Sequence, residues 1–307
     1  LVLLLPSPLR FNYHVGGGVY CEDMIVRSLL MGAPVVRLCR QSICGTKRFA
    51  SALTDANLKL ANQLMSGNRS GLARAITLIE SSNATHQEQA TEMLNYLAEN
   101  HVKRTNEGEE YKGFQLGRTI RIGVAGPPGA GKSSVIEALG MQLVQANHRV
   151  AVIPVDPSSH LSGGSILGDK TRMDQLTRSE NAYIRASPTR GVLGGIAEAT
   201  ADVISLCEYA HYDVVIVESV GLGQSEIELD QAVDIFLLIV SPGGGDDLQA
   251  SKKGIMEACD IIIVNKADGD LLTTAKHTKA DYSGTVRFQR RKDPSWQPRV
   301  LLASART

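Results

Sequence analysis

The feature that most constrains this chain is the segment Gly126–Ser134, with the sequence GPPGAGKSS. It fits the phosphate-loop pattern G-x-x-x-x-G-K-[ST]. The apolar, β-branched run Thr119–Ala125 precedes it and predicts a buried parallel strand, and Ser134–Ala146 follows it and predicts a helix. Glycines let such a loop wrap closely around an anion, so that backbone N–H groups point at it. Strand, loop and helix in this order predict a site for the phosphates of a nucleotide.

Two side chains in the loop have predicted roles of their own. Lys132 is expected to reach the outer phosphates, and the Ser133 hydroxyl is expected to bind Mg²⁺. The N-terminus of the following helix adds a partial positive charge. The predicted phosphate site comprises Gly126, Pro127, Pro128, Gly129, Ala130, Gly131, Lys132, Ser133 and Ser134.

From residue 113 to residue 307 the pattern alternates between short apolar runs and helical segments. This rhythm predicts an α/β domain of three layers, with a mostly parallel sheet covered by helices on both faces. Right-handed crossovers place the carboxyl ends of the strands at one edge, where ligands bind. The predicted strands are Ile120–Ala125, Val150–Val155, Val214–Val217, Ile235–Val240, Ile261–Val264 and Val300–Ala303.

Residues 53–112 predict a small helical appendage to this domain. Leu53–Met65 and Leu72–Ile79 have apolar residues at helical spacing, and Thr85–Glu88 fits a capping box that opens a third helix. The appendage is too small to bury much surface alone, so we expect it to pack on the domain that follows.

Residues 1–52 differ in composition. Between Met24 and Thr54 there are five basic residues and no Asp or Glu. A basic, Ser-containing, acid-free segment is typical of a mitochondrial transit peptide, which predicts the mitochondrial matrix as the location; a disordered tail with a chance charge bias is the alternative.

Composition limits the partners. Lys and Arg total 32, as do Asp and Glu, a balance that gives no support for a nucleic-acid partner. The five cysteines form no C-x-x-C pair and no cluster with histidine, so we expect free thiols and no structural zinc. No apolar run approaches the ~18 residues needed to span a bilayer, so no membrane partner is predicted.

Polar groups follow several predicted strands. Asn265–Asp268, NKAD, fits the N-K-x-D pattern that reads guanine, because the Asp carboxylate can accept from both N1–H and N2–H₂. The stem of Lys266 is expected to lie along the base plane. A second loop, after the last predicted strand, is similar to one whose backbone contacts the guanine oxygen. The predicted base site comprises Asn265, Lys266, Asp268, Ser304, Ala305 and Arg306.

Carboxylates at the same edge are candidate Mg²⁺ ligands. Asp156 and Glu218 each follow a predicted strand, and Mg²⁺ prefers oxygen ligands such as these with Ser133. A structural ion pair is the alternative role for Glu218. Asp169, in a glycine-rich loop, can approach the metal, and the N–H of Gly221 can approach the γ-phosphate and distinguish GTP from GDP.

Taken together, these segments resemble the MeaB/ArgK family of GTPases, from about Leu53 to Thr307. The resemblance implies a dimeric GTPase that chaperones adenosylcobalamin-dependent methylmalonyl-CoA mutase, with the GTP state gating cofactor loading and protection. The motifs that carry it are GPPGAGKSS, VDPSSHLSGGSILGDKTRM, RASPTRGVLGG, ESVGLGQSE, GGGDDLQASKKGI and NKADGDL.

The resemblance also assigns residues. It implies that Gly243–Gly254 is an additional switch that responds to the mutase, with Lys252 contributing. It implies a Mg²⁺ shell of Ser133, Asp156, Asp169 and Glu218, and a catalytic group of Lys132, Asp169, Glu218, Gly221 and Lys252. Leu222 and Ser219 replace the Val and Thr usual in the family. Family members continue beyond the position of Thr307 with an arm that joins two subunits, so we expect a truncated chain whose dimerisation is in doubt.

Other functions fit parts of the pattern. An ATP-dependent kinase or transport ATPase would have the same phosphate loop, and NKAD argues against it. A metallochaperone-type GTPase usually carries His-rich or C-x-x-C metal sites, which this sequence lacks. A non-hydrolysing nucleotide-binding scaffold is the third alternative. Under the leading hypothesis, slow GTP hydrolysis acts as a timer, and the sequence names no residue that orients the attacking water.

Overall fold

A computed structural model describes seven stretches of the chain, and the structural statements below concern these alone. The described residues are 53–107, 119–156, 173–188, 195–219, 229–243, 253–288 and 296–305. No helix in these stretches combines the length and the apolar character needed to cross a bilayer.

The centre of the fold is a parallel β-sheet. Its strands are β1 (Ile120–Ala125), β2 (Val150–Asp156), β3 (Ala182–Ile184), β4 (Ser187–Pro188), β5 (Val214–Glu218), β6 (Ile235–Val240), β7 (Ile261–Val264) and β8 (Arg299–Leu302). They run in the order β3-β2-β5-β1-β6-β7-β8, and β4 also pairs with β2. Every pairing is parallel. The predicted α/β class with a mostly parallel sheet is therefore confirmed.

Helices lie before the sheet in the chain and between its strands. They are α1 (Asp55–Met65), α2 (Arg69–Glu80), α3 (Ala84–Glu107), α4 (Lys132–Gln145), α5 (Asp174–Arg178), α6 (Gly195–Tyr209), α7 (Lys253–Ala258) and α8 (Leu272–Phe288), with a 3₁₀ turn at Gly269–Leu271. The first three form the helical segment that the sequence predicts.

The starts of these first helices follow from side-chain caps. The Thr54 hydroxyl accepts from Asn57 N, and the Asn68 side chain accepts from two amides in the first turn of α2. The capping box predicted at Thr85–Glu88 is wrong by position. Helix α3 already begins at Ala84, and the Asn83 side chain accepts from Thr85 N at 2.9 Å. Because asparagine is among the strongest N-capping residues, the helix begins after Asn83 and not after Thr85.

Both faces of the sheet are buried. In β2, Val150 and Val152 belong to the apolar layer that contains the buried face of α4, whereas Ala151 and Ile153 belong to the layer that contains α6 and the helical segment. All four side chains are fully buried. Strands buried on both faces read as continuous apolar runs, which is why they were recognisable in the sequence.

The helical segment packs against the sheet domain, as expected. Leu72 and Ile76 of α2 are fully buried in the layer shared with α6, and burial of such a side chain stabilises by about 1.5–3 kcal/mol. The Arg149 guanidinium adds polar contacts. It donates to Gly67 O at 3.2 Å and to Ala210 O at 2.9 Å, and its carbon lies 4.5 Å from the centre of the Tyr212 ring.

At the amino edge of the sheet, opposite the phosphate loop, the same kind of hydrogen bond recurs at the start of three strands. A buried or half-buried aspartate stands immediately before each of β5, β6 and β7, and its carboxylate accepts a backbone N–H from the start of a neighbouring strand or from the residue before it. The bonds run from Arg149 N to Asp213 Oδ2 (2.6 Å), from Arg121 N to Asp234 Oδ2 (2.9 Å) and from Phe236 N to Asp260 Oδ2 (2.8 Å). These bonds join the amino ends of neighbouring strands, and the parallel pairing brings the carboxyl ends together at the opposite edge.

Candidate nucleotide site

The phosphate loop joins β1 to α4 and needs glycine at specific points. Gly126 has φ 146° and Gly131 has φ 91°, both in the range that favours glycine. A Cβ atom on Gly126 would collide with the carbonyl oxygen of Ile239 in β6, and one on Gly131 would collide with Nδ2 of Asn265. The loop thus lies directly against the neighbouring strand and against the NKAD motif.

Lys132 is the first residue of α4. Its Nζ donates to the carbonyl oxygen of Gly126 at 2.9 Å, with Pro127 O at 3.5 Å. The ammonium group therefore lies against the phosphate loop itself, as the motif predicts for a group that reaches a bound phosphate chain.

Ser133 and Glu218, two of the predicted Mg²⁺ ligands, lie together. The Ser133 hydroxyl donates to Glu218 Oε1 at 3.2 Å. Glu218 is the last residue of β5 and pairs with Val124 of the adjacent β1, which brings it beside the loop. Among the described residues, no three His, Cys, Asp or Glu side chains form a metal-binding group. One hydroxyl and one carboxylate still suit Mg²⁺, which prefers oxygen ligands and keeps several waters.

The NKAD motif follows β7 and contacts the phosphate loop through two side chains. Asn265 is 2% exposed, and its Nδ2 donates to Ala130 O at 2.9 Å. Lys266, with φ 57°, donates from Nζ to Gly129 O at 2.6 Å. These contacts link the predicted base site directly to the predicted phosphate site, a connection that the sequence gives no means to predict.

The loop after β8 lies beside the NKAD motif. Ala267 N donates to Ala303 O at 2.9 Å, and Ser304 is buried. Asp268 is half-buried at the start of the 3₁₀ turn, where its carbonyl oxygen accepts from Leu271 N at 3.1 Å. The structure therefore brings the predicted base-site residues Asn265, Lys266, Asp268, Ser304 and Ala305 to one edge.

Several predicted site residues lie beyond what the structure describes. The backbone of Asp156 is the end of β2, but its side chain is outside the described residues. Four further predicted residues are also outside them: Asp169, Gly221, Lys252 and Arg306.

The chain is similar to known proteins along most of its length. The family model described as methylmalonyl Co-A mutase-associated GTPase MeaB matches residues 72–307. A mouse protein named methylmalonic aciduria type A homolog, mitochondrial, is 44% identical over 304 residues, which cover 98% of this chain and 69% of the mouse protein. The Escherichia coli GTPase ArgK is 47% identical over 243 residues, covering 79% of this chain and 69% of ArgK.

A crystal structure agrees with the sequence comparisons. That structure, of a protein named LAO/AO transport system kinase, shares 38% identity with a TM-score of 0.65, and the match covers 83% of this chain and 71% of that one. Both the motifs and the geometry around them fit a phosphate loop joined to a guanine-reading loop. The family model covers well over half of the chain, and the chain therefore belongs to the MeaB family of phosphate-loop GTPases.

Proposed function

We propose that this GTPase is a nucleotide-controlled chaperone of adenosylcobalamin-dependent methylmalonyl-CoA mutase, gating the loading of the cofactor and protecting the enzyme. The observation that carries the proposal is the direct bonding of the base loop to the phosphate loop through Asn265 and Lys266. Such bonding lets the site respond to guanine and to the phosphate chain as one unit. The description of the matching family as mutase-associated supports the choice of partner.

In this proposal the predicted residues keep their roles. Gly126–Ser134 binds the phosphates, with Lys132 at the outer ones, and Asp268 pairs with guanine beside Asn265, Lys266, Ser304, Ala305 and Arg306. The proposed Mg²⁺ ligands are Ser133, Asp156, Asp169 and Glu218. Mg²⁺ held by these residues would neutralise phosphate charge. The N–H of Gly221 and the side chain of Lys252 are proposed to report the nucleotide and the partner.

The proposed reaction is hydrolysis by in-line attack of water on the γ-phosphorus. The bond to the β,γ-bridging oxygen breaks, GDP leaves, and the water supplies the hydroxyl of the released phosphate and a proton. The transition state spreads negative charge over the γ-oxygens. The proposed stabilising groups are Lys132, whose Nζ lies against the loop, and the backbone N–H groups of the loop. Slow hydrolysis of this kind makes the GTP-bound period a timer for the partner.

We propose the mitochondrial matrix as the place of action. The acid-free, basic composition between Met24 and Thr54 supports it. The mouse relative is named as mitochondrial, and close bacterial relatives exist as well. Import of a fluorescent fusion carrying residues 24–52 tests this part, and a wholly cytosolic fusion contradicts it.

The partner is tested by capture of purified mutase on the immobilised chain. We expect the amount of captured mutase to differ between a non-hydrolysable GTP analogue and GDP, and we expect the mutase to accelerate GTP hydrolysis. The Lys132→Ala variant is the control, because it should lose the dependence on nucleotide while it remains folded. No capture, equal capture in both states, or rapid hydrolysis that mutase does not change would contradict the proposal.

A kinase function is the competing hypothesis, because the protein in the similar crystal structure is named as a transport system kinase. The two functions differ in the fate of the γ-phosphate. A GTPase releases it as free phosphate from GTP, whereas a kinase transfers it to an acceptor. Release of stoichiometric phosphate from GTP, with little hydrolysis of ATP, supports the GTPase, and equal use of ATP supports the kinase.

A further inference from the structure

Arg185 lies at a break in the edge of the sheet. Strand β3 ends at Ile184 and β4 begins at Ser187, and both pair with β2. Between them, Arg185 keeps one backbone bond, from its N–H to Val152 O at 3.0 Å. Its side chain leaves the sheet and reaches helix α2 of the helical segment.

On α2 the guanidinium meets three acceptors along one helix face. It donates to Ala73 O at 2.8 Å, to Thr77 Oγ1 at 3.0 Å and to Glu80 Oε2 at 2.6 Å. The Arg185 and Glu80 side chains are 25% and 11% exposed. A planar guanidinium with several fixed donors orients its partners more strictly than an ammonium can. This contact therefore holds α2 at a defined position relative to the edge of the sheet.

The same edge leads to the proposed metal site. β4 pairs with the last two residues of β2, Val155 opposite Ser187 and Asp156 opposite Pro188. Ser187 is buried, and β4 starts only two residues after Arg185. The backbone of Asp156 is thus bordered by a two-residue strand that begins close to the residue that contacts α2.

We infer that Arg185 is a positioning residue, which fixes the Mg²⁺ edge of the nucleotide site by anchoring β4 to the helical segment. The inference rests on the proposed role of Asp156 as a Mg²⁺ ligand. It gives the helical segment, which contacts Arg185 through α2, a function in the nucleotide site. Weakening the contact displaces β4 and with it the backbone of Asp156, so Mg²⁺-dependent nucleotide binding weakens.

The chain offers a matched control for this contact. Arg121 and Glu208 form a second ion pair of 2.7 Å, with side chains 28% and 25% exposed, at the opposite, amino edge of the sheet. Glu80→Gln and Glu208→Gln therefore remove comparable charges at the two edges. The affinity for a fluorescent GDP analogue is measured once with Mg²⁺ and once with a chelator. The affinity with Mg²⁺ divided by the affinity with the chelator is then compared between each variant and the unmodified chain.

We expect Glu80→Gln and Arg185→Lys to lower the affinity ratio by about 5-fold or more, within the range usual for coupled sites, and Glu208→Gln to leave it unchanged. Thr77→Val, which removes only one acceptor, should give a smaller loss and provides a test if another variant fails to fold. Hydrogen exchange at the amide of Ser187 should accelerate in Glu80→Gln and not in Glu208→Gln.

The Asp156→Asn variant distinguishes the positioning role of Arg185 from the proposed Mg²⁺ role of Asp156, on which it rests. If Asp156→Asn lowers the ratio while Glu80→Gln and Arg185→Lys behave like Glu208→Gln, the positioning role is wrong and the metal assignment stands. If Asp156→Asn leaves the ratio unchanged, the metal assignment is wrong, and the inference is wrong with it.

Discussion

At the scale of single residues, the nucleotide site depends on the contact between Gly131 and Asn265. Asn265 is buried, its Nδ2 donates to Ala130 O, and a Cβ on Gly131 would occupy the space of that nitrogen. The Oδ1 atom of Asn265 is buried without a hydrogen-bond partner in the described residues. A buried polar atom without a partner costs free energy, so this end of the side chain is suited to a group that the ligand provides.

The glycine requirement is tested by comparing Gly131→Ala with Gly129→Ala. Both positions have positive φ, 91° and 80°, which costs roughly 1–2 kcal/mol for a residue with a Cβ. At Gly129 the added Cβ meets nothing within 4 Å. At Gly131 it also collides with Asn265, so we expect at least ~1 kcal/mol of further destabilisation. Urea unfolding of the nucleotide-free variants measures both, and equal losses would contradict the proposed contact.

Single residues also show which positions and contacts can be predicted from the sequence. The motif letters predicted Lys132 in the phosphate loop and Asp268 directly after a buried strand, because each motif and its flanking strand are local in the chain. The bonds from Asn265 to Ala130 and from Lys266 to Gly129 join residues more than 130 positions apart. The sequence predicted that Lys266 lies along a base, and nothing in it reveals where the ammonium is bound.

At the scale of elements, the carboxylates of Glu208 and Asp234 at the amino edge of the sheet lie in buried positions that disfavour their charged forms. Burial is the largest cause that raises the pKa of Glu208 above its ordinary value of 4.5, and the Arg121 guanidinium opposes that shift. Burial likewise raises the pKa of Asp234 above 3.8, and the N–H of Arg121 opposes it. Both groups therefore hold a proton more tightly in the folded chain than in the unfolded chain.

This difference predicts how stability depends on pH. Below the unfolded pKa values the contribution of these two groups is fully present, and it is lost as the pH rises through their higher folded values. Glu208→Gln should therefore flatten the fall in the free energy of unfolding as the pH rises above the ordinary Glu pKa of 4.5. Urea unfolding at a series of pH values measures the slope, with Glu99→Gln on the exposed face of α3 as control. A slope identical to that of the unmodified chain would contradict the raised pKa of Glu208.

The attachment of the helical segment is a second property of elements. Arg149 donates to Gly67 O and Ala210 O and covers the Tyr212 ring. Arg149→Met keeps much of the apolar stem but leaves these carbonyl oxygens without a donor, so we expect a loss of roughly 2–3 kcal/mol in unfolding free energy. Arg74→Met, on the exposed side of α2, is the control. Similar small losses for both variants would show that the contact contributes little.

The limits of sequence-based prediction differ between elements. The strands β1, β6 and β7 begin and end at the predicted residues, because each is an apolar or largely apolar run with polar residues or glycine at both ends. Strands β3 and β4 were not predicted. They have three and two residues and depend on pairing with β2, which no local pattern records.

At the scale of the whole molecule, the helical segment and the α/β domain share one apolar layer, in which Leu72 and Ile76 lie with Val203 and Cys207 of α6. The sequence predicted both parts and their association, since a segment of three helices cannot bury enough surface alone. It did not predict the polar contacts of Arg149 and Arg185 that fix the association. Those contacts depend on the tertiary arrangement and not on any repeat or motif.

The most direct test of the central claim, that guanine recognition at the NKAD motif controls the partner, uses Asp268→Asn. An amide at this position should pair with xanthine better than with guanine, because its NH₂ group can donate to the additional carbonyl oxygen of xanthine. The measurement is the acceleration of nucleotide hydrolysis by methylmalonyl-CoA mutase, with GTP and with xanthosine triphosphate. We predict that the unmodified chain responds with GTP and the variant with xanthosine triphosphate. A variant that still responds with GTP, or a response that is independent of the base in both chains, would contradict the claim.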